Sequence, residues 1–299
     1  TKFFIDVVSF VENNRLLFTG ASGMLGRAFK DTIEALGCHM DNCLFLSKKD
    51  LDVTSLVNFS PYNAFRPNYV FHCAALVDAD YCETYPDKAF KAIVAGTQNT
   101  AIFSKRHIAT IYFPQTFLIF DDSVPLTSED SEPAPLCTYG LLKLRAEQLL
   151  LKSNSRVLST RLGGFFGGGI HDKNFIGKIT REIAVRGYKA PSNIEIGDRR
   201  WQPTYTNDIA ANVLLLLSNH RRGVFNMASR GDATFFQLTK FIIHKLGVDK
   251  RIALSEVDAS YFSIKETAER PKSVLLNQSK LDEEGLNLQR NWQDSVAEY

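Results

Sequence analysis

A doubly wound parallel α/β sheet with a smaller α+β lobe toward the C-terminus is the fold this sequence predicts. Short apolar runs alternate with amphipathic helical patterns through the first half of the chain, as strands and crossover helices do in a parallel sheet. Three glycines stand between the first apolar run and its helix. Beyond about residue 165 the alternation weakens, as expected of a smaller lobe interleaved with returns to the first.

"RLLFTG" predicts a buried strand, and the helix after it carries Leu25, Phe29, Ile33 and Leu36 on one face before Gly37 stops it. "CLFLS" is the second strand and "YVFHCAA" the third. A long helical pattern runs from about Pro86 to Arg106, followed by the strand "IATIYF". Residues 121–137, "DDSVPLTSEDSEPAPLC", lack periodicity and are rich in Pro, Ser and acids, so they form a loop. A loop of that length is usually functional or mobile. "YGLLKLRAEQLLL" is helical, with Leu142, Ala146, Leu149 and Leu150 on one side, and "RVLSTRLGGFFGGG" is a strand dissolving into glycine. The expected division is an extension over 1–14, a dinucleotide-binding unit over 15–165 with returns near 203–228, and a substrate lobe over 166–202 and 229–299.

At 299 residues the chain nears the upper size for a single core, so one large domain or two intimate lobes is expected. Its composition, 44% hydrophobic and 23% charged, is that of an ordinary soluble globular protein. A net charge of +2 gives no reason to expect nucleic acid or a membrane surface as partner. No apolar run approaches the ~20 residues that span a bilayer. The start is apolar but interrupted by Asp6 and Glu12, and it lacks the small-residue cleavage site of a signal peptide. Cys38, Cys43, Cys73, Cys82 and Cys137 form no CxxC pair and are odd in number, so free thiols in a reducing cytoplasm are expected. No residue is assigned to a metal.

"TGASGMLG" places Gly20, Gly23 and Gly26 where a Rossmann-type sheet binds a dinucleotide. Glycines permit the tight turn and let backbone approach a pyrophosphate, whose charge sits at the helix N-terminus. The expected cradle is Gly20, Ser22, Gly23, Met24 and Leu25. An acid ending the second strand would bind a ribose 2′-hydroxyl, whereas a base suits a 2′-phosphate. Here Lys48 and Lys49 follow the strand, which favours NADPH, with NADH the alternative and Asp52 placed to reach the adenine edge.

"TYGLLK" puts Tyr139 and Lys143 four apart at a helix start, hence on one face. A phenol of pKa near 10 is a poor acid–base catalyst at neutral pH, and a neighbouring ammonium brings it toward the working range. With the glycine turn, this pair resembles the extended short-chain dehydrogenases/reductases. "DADYCETYPDKAF", "EPAPLCTYGLLKLRAEQ", "DRRWQPTYTNDIA" and "RPKSVLLNQSKL" with Trp292 are similar to segments of the dTDP-4-dehydrorhamnose reductase group, from about Arg15 onward.

The resemblance implies NADPH-dependent reduction of a keto group on a nucleotide-linked deoxysugar. Tyr139 would donate the proton, Lys143 would lower the phenol pKa and hold the nicotinamide ribose, and Thr116 would orient the carbonyl oxygen. The "FHCAA" strand end would put Cys73, Ala74 and Ala75 beside the cofactor. Arg200 and Arg270 are the expected substrate contacts, a structural salt bridge being an equal alternative for Arg270; Thr204 would line the cofactor or substrate cleft, although turn chemistry after Pro203 is the favoured reading for it. The chain departs from the group's pattern at Gln115 and Phe117, which flank Thr116, at Gly163 and Gly164, where the group often has a Trp, and at Ile93 in place of an Asn. Two other activities therefore stay open. One is an epimerase or dehydratase of the same extended branch. The other is an inactive NADP-binding regulatory subunit similar to the methionine adenosyltransferase β subunit, which "RRWQPT" also resembles. A homodimer is an assembly the resemblance allows.

Overall fold

Apolar β-rich segments in this chain are buried on both faces, which only a parallel sheet covered by helices accommodates. The computed structural model, which describes residues 2–153, 156–187, 192–263 and 266–299, has such a sheet. Its strands are β1 (Leu16–Thr19), β2 (Cys43–Leu46), β3 (Tyr69–His72), β4 (Thr110–Thr116) and β5 (Val157–Leu162). Short strands follow: β6 (Phe165–Phe166), β7 (Ser192–Gly197), β8 (Arg200–Trp201) and β9 (Thr204–Tyr205). They precede β10 (Gly223–Met227), β11 (Ala233–Thr234) and β12 (Ile252–Val257). The main sheet has the order β10-β5-β4-β3-β1-β2, every pair parallel. The order reverses between β1 and β3, the point at which open α/β sheets bind ligands outside their carboxyl ends.

The helices are α1 (Lys2–Asn13), α2 (Met24–Ala35), α3 (Ala79–Thr84), α4 (Pro86–Phe90), α5 (Gly96–Arg106) and α6 (Thr138–Ser153). After them come α7 (Phe175–Gly187), α8 (Thr206–Ser218), α9 (Phe235–Lys245), α10 (Ser260–Ser263), α11 (Ser279–Glu283) and α12 (Trp292–Glu298). One sheet face is covered by α2 and α8, whose Phe29, Ile33, Ile209 and Val213 share a core with Phe18, Phe71 and Tyr112. The residues before Arg15 form α1, which adds Val7, Phe10 and Val11 to this core. The other face carries α5 and α6, with Ala101, Leu142, Ala146 and Leu150 against Ile111, Phe113 and Val157.

Three regions differ from their sequence reading. The pattern from Pro86 to Arg106 is broken by a π-helical turn at Lys91–Ala95, which buries Ile93 and Val94. The loop over 121–137 is anchored at its centre: Thr127 N donates to Leu275 O at 2.8 Å and Asn277 N to Thr127 O at 2.8 Å. The C-terminal lobe has a core of its own, with Ile176, Ile179, Ile183, Ile194, Leu238 and Ile252. There β7 and β12 pair in parallel against α7 and α9.

Candidate active site

The glycine turn is shaped by a close backbone approach. Gly20 has φ +63°, and a Cβ there would stand 2.6 Å from both Cα and N of Ala74, at the end of β3. Only glycine meets both demands. Gly26 is equally constrained, a Cβ there lying 2.6 Å from Ala21 Cα. Helix α2 begins at Met24 with Gly23 as its N-cap, no side-chain cap and no acid in its first turn. Uncapped N–H groups beside a turn stripped of side chains are what a pyrophosphate requires. The residues present thus fit a dinucleotide. Met24 Sδ lies 2.7 Å from where Gly168 would carry a Cβ, which brings the glycine run after β5 alongside the turn.

Beyond β2, the exposed Asp50 is engaged locally: its carboxylate accepts from Ser47 N at 2.9 Å and Ser47 Oγ at 2.6 Å, which lowers its pKa. Asp52 is likewise turned onto Thr54, through N at 3.0 Å and Oγ1 at 2.8 Å. Lys48 and Lys49 are exposed and line a shallow hollow with Asp52 and Asn58. Both acids being engaged locally, the lysines are the charges on offer at the end of β2.

Beneath the turn lies a buried histidine the sequence reading passed over. His72, the last residue of β3, has Nδ1 at 3.1 Å from Thr19 Oγ1 and 3.2 Å from Thr100 Oγ1, and Nε2 at 3.0 Å from Thr97 Oγ1. Burial, then the nearby Lys143 ammonium, pushes its pKa down to about 3, so it is neutral in this network. Thr19 Oγ1 also accepts from Ala74 N at 3.2 Å, tying the network to the wall of the turn. A polar residue inside the apolar run "YVFHCAA" was the available signal.

Tyr139 and Lys143 stand in the first turns of α6, both buried. The start of α6 is held by Glu83 of α3, whose carboxylate accepts from Thr138 N at 2.9 Å. The Tyr139 phenol is raised above its ordinary pKa by burial and then by the Cys82 and Cys137 thiols, opposed by a hydrogen bond with Thr116. The expected lowering by Lys143 is absent from this geometry, because the ammonium is engaged elsewhere. Lys143 Nζ donates to Pro114 O at 2.6 Å and lies 3.9 Å from the centre of the Phe113 ring. Burial pushes its pKa down to about 7, with Glu147 and Cys73 opposing.

Thr116 closes β4. Its Oγ1 accepts from Leu118 N at 3.2 Å, and its N donates to Gln115 Oε1 at 2.9 Å. Gln115 is 2% exposed and donates through Nε2 to Lys143 O at 3.0 Å, so it ties the strand end to α6. Phe117 is buried and meets Trp201 edge to face at 4.7 Å. Both residues that looked out of place therefore position Thr116, one through polar bonds and one through packing. Cys73, Ala74 and Ala75 follow β3 beside the turn, with Cys73 close enough to Lys143 for their charges to interact. Thr116, Tyr139, Lys143 and the glycine turn thus converge at the carboxyl end of the sheet.

The two predicted substrate arginines are both engaged in ion pairs. Arg270 forks onto Asp80 of α3, NH1 to Oδ1 at 3.1 Å and NH2 to Oδ2 at 2.9 Å, with Ala268 O as a further acceptor. Arg200 is half exposed and paired with Asp232. Of the alternatives weighed for Arg270, the salt bridge is the one this geometry contains. Exchanging Arg270 for Met should therefore lower stability by about 1 kcal/mol, a modest value because Asp80 is partly solvated. It should change KM for a sugar nucleotide less than twofold, as read by thermal melts and initial rates. Thr204 is fully buried, donating to Gln202 O at 2.9 Å and accepting from Ser229 N at 3.1 Å, which is the turn role.

Among known proteins, the RmlD substrate binding domain matches residues 14–299. The chain belongs to this family. Of its relatives, the dTDP-4-keto-6-deoxy-D-glucose reductase of Streptomyces niveus is 26% identical over 95% of this chain and 96% of its own. The chain also has a relative of a different kind. Methionine adenosyltransferase 2 subunit beta of Pongo abelii is 26% identical over 96% of this chain and 87% of its own. Among solved structures, dTDP-4-dehydrorhamnose reductase of Bacillus anthracis in complex with NADP superposes with a TM-score of 0.84. It is 22% identical and covers 96% of this chain and 98% of that one, a likeness of fold. The parallel sheet and its flanking helices are thus those of an RmlD-type, extended short-chain dehydrogenase/reductase. No helix among the described residues is long and apolar enough to cross a membrane.

Proposed function

We propose that the chain is an NADPH-dependent reductase of a keto group on a nucleotide-linked deoxysugar. The observation that carries this is the convergence of Thr116, Tyr139 and Lys143 with the Gly20 turn at the carboxyl end of the sheet. When bound, NADPH supplies the hydride for the keto carbon. The turn from Gly20 to Leu25 holds the pyrophosphate, Cys73 to Ala75 line the adjoining wall, and Lys48 and Lys49 meet the 2′-phosphate with Asp52 toward the adenine. Thr116 Oγ1 and the Tyr139 hydroxyl orient the keto oxygen, and Tyr139 releases its proton to that oxygen. Burial raises the phenol above its ordinary pKa and so weakens it as an acid, which a neighbouring ammonium, that of Lys143, would offset as the oxygen acquires charge. With the cofactor bound, Lys143, whose ammonium here donates to Pro114 O, would hold the nicotinamide ribose and neutralise the phenolate left on Tyr139.

The reading is tested by mixing the chain with NADPH and a dTDP-4-keto-6-deoxyhexose and following loss of absorbance. Stoichiometric, substrate-dependent oxidation is expected. Tight NADPH binding without turnover on a panel of keto-sugar nucleotides would instead favour a regulatory subunit, the reading that the methionine adenosyltransferase relative supports. For the cofactor, the double exchange Lys48→Ala and Lys49→Ala should raise KM for NADPH about tenfold and leave that for NADH unchanged. Five free cysteines, among them buried Cys38, Cys82 and Cys137, fit a reducing cytoplasm.

A further inference from the structure

Trp201 sits over the carboxyl ends of two central strands. Its ring meets Phe117, the residue after Thr116, at 4.7 Å, and Phe235 at 4.7 Å, both edge to face. Phe235 in turn stacks on Phe175 at 3.9 Å. On its other side, ring atom Cε3 lies 2.7 Å from where a Cβ on Gly164 would be, two residues beyond β5. Gly164 is thus a position that has given up its side chain to this indole. Phe117 and Phe235 back the ring, and part of it remains exposed while Phe117 is buried.

The polar end of the same ring is unprovided for. Trp201 Nε1 is buried and has no hydrogen-bond partner. An indole N–H removed from water without an acceptor is costly, and such groups in native proteins call for an explanation. The ring is therefore oriented by packing alone, one residue's breadth from Thr116. Nothing polar holds it against an acceptor that arrives in the crevice.

We propose that Trp201 is a specificity-determining residue of this site, the exposed part of its ring the apolar wall for the sugar of a bound sugar nucleotide and its Nε1–H, once binding turns the ring, the donor to a sugar oxygen. The inference rests on the reductase reading. A ring edge and a single donor suit a deoxysugar, which offers a methyl group beside its hydroxyls.

The test uses a Trp292→Phe variant, in which Trp201 is the only tryptophan, saturated with NADP+. Adding dTDP-rhamnose, which cannot be reduced, should change its emission saturably, while dTDP alone should not. Trp201→Ala should raise KM for a dTDP-4-keto-6-deoxyhexose about tenfold with kcat within about threefold. Trp201→Phe, which keeps the packing and loses the donor, should fall between. Binding of dTDP-rhamnose by equilibrium dialysis with silent Trp201 emission, or an unchanged KM in Trp201→Ala, would overturn this assignment and leave the reductase reading standing. If wild type binds neither dTDP-rhamnose nor dTDP in dialysis, the reductase reading fails and the assignment fails with it.

Discussion

Tyr139→Phe is expected to lower turnover by about 10²–10⁴-fold while leaving the NADPH dissociation constant within about threefold. The exchange removes a single oxygen from a side chain that is 8% exposed and otherwise packed in the core around Leu142 and Phe120. Its partner is not stranded, because Thr116 Oγ1 still accepts from Leu118 N. The fold should therefore be retained, and a loss of rate cannot be blamed on unfolding. What disappears is the phenol that, on the reductase reading, gives its proton to the keto oxygen. Full activity in this variant would remove Tyr139 from the chemistry. Preserved cofactor binding is the control that separates a lost acid from a damaged site.

Lys143→Met should do two opposite things: abolish most of the activity and make the protein more stable. The wild-type amine is 3% exposed, and burial opposes its charge strongly enough to bring its pKa down to about 7. A thioether of similar length can fill the same space over the Phe113 ring without a charge to desolvate. Loss of the donor to Pro114 O offsets part of the gain, and a net stabilisation of about 2 kcal/mol is expected at pH 6. The pH dependence follows from the same group. Between pH 7 and about 10.5 the unfolded chain binds a proton at Lys143 that the folded chain does not, so wild-type stability rises with pH over that window. Above about pH 9 the thiols of Cys43, Cys73 and Cys82, each pushed up to about 12 by burial, act in the opposite sense. The difference between wild type and Lys143→Met isolates the lysine: the variant's advantage should shrink from pH 7 to 9. A variant less stable than wild type at pH 6 would refute this account.

Elements whose physics is local were legible in the sequence. The first strand, its glycine turn and α2 follow from apolar runs and spacing, and Gly20 has the backbone conformation and close approach such a turn needs. The pairing of Tyr139 with Lys143 on one helix face also follows from spacing. Which atoms the lysine touches does not, since Pro114 O belongs to a strand 29 residues away in sequence. Gln115 and Phe117 looked foreign because their partners, Lys143 O and Trp201, lie in other elements. Arg270 sits in a recognisable motif, yet its destination on Asp80 is a contact across 190 residues. The small strands β6, β8 and β9 were not anticipated, because two-residue pairings have no periodicity to detect.

The anchoring of Thr127 bears on the order in which the molecule is made. Asn226 donates through Nδ2 to Thr127 O at 3.0 Å and Asn277 O at 2.9 Å, and Thr127 itself pairs with residues 275 to 277. On the ribosome, the glycine turn is made well before the loop leading into α6, and that loop gains its anchor only once residues 275 to 277 have followed. A nascent chain can thus build the first half of its sheet before the loop into α6 has anything to fasten to, and a ligand that binds that half would steady it while the second is being translated.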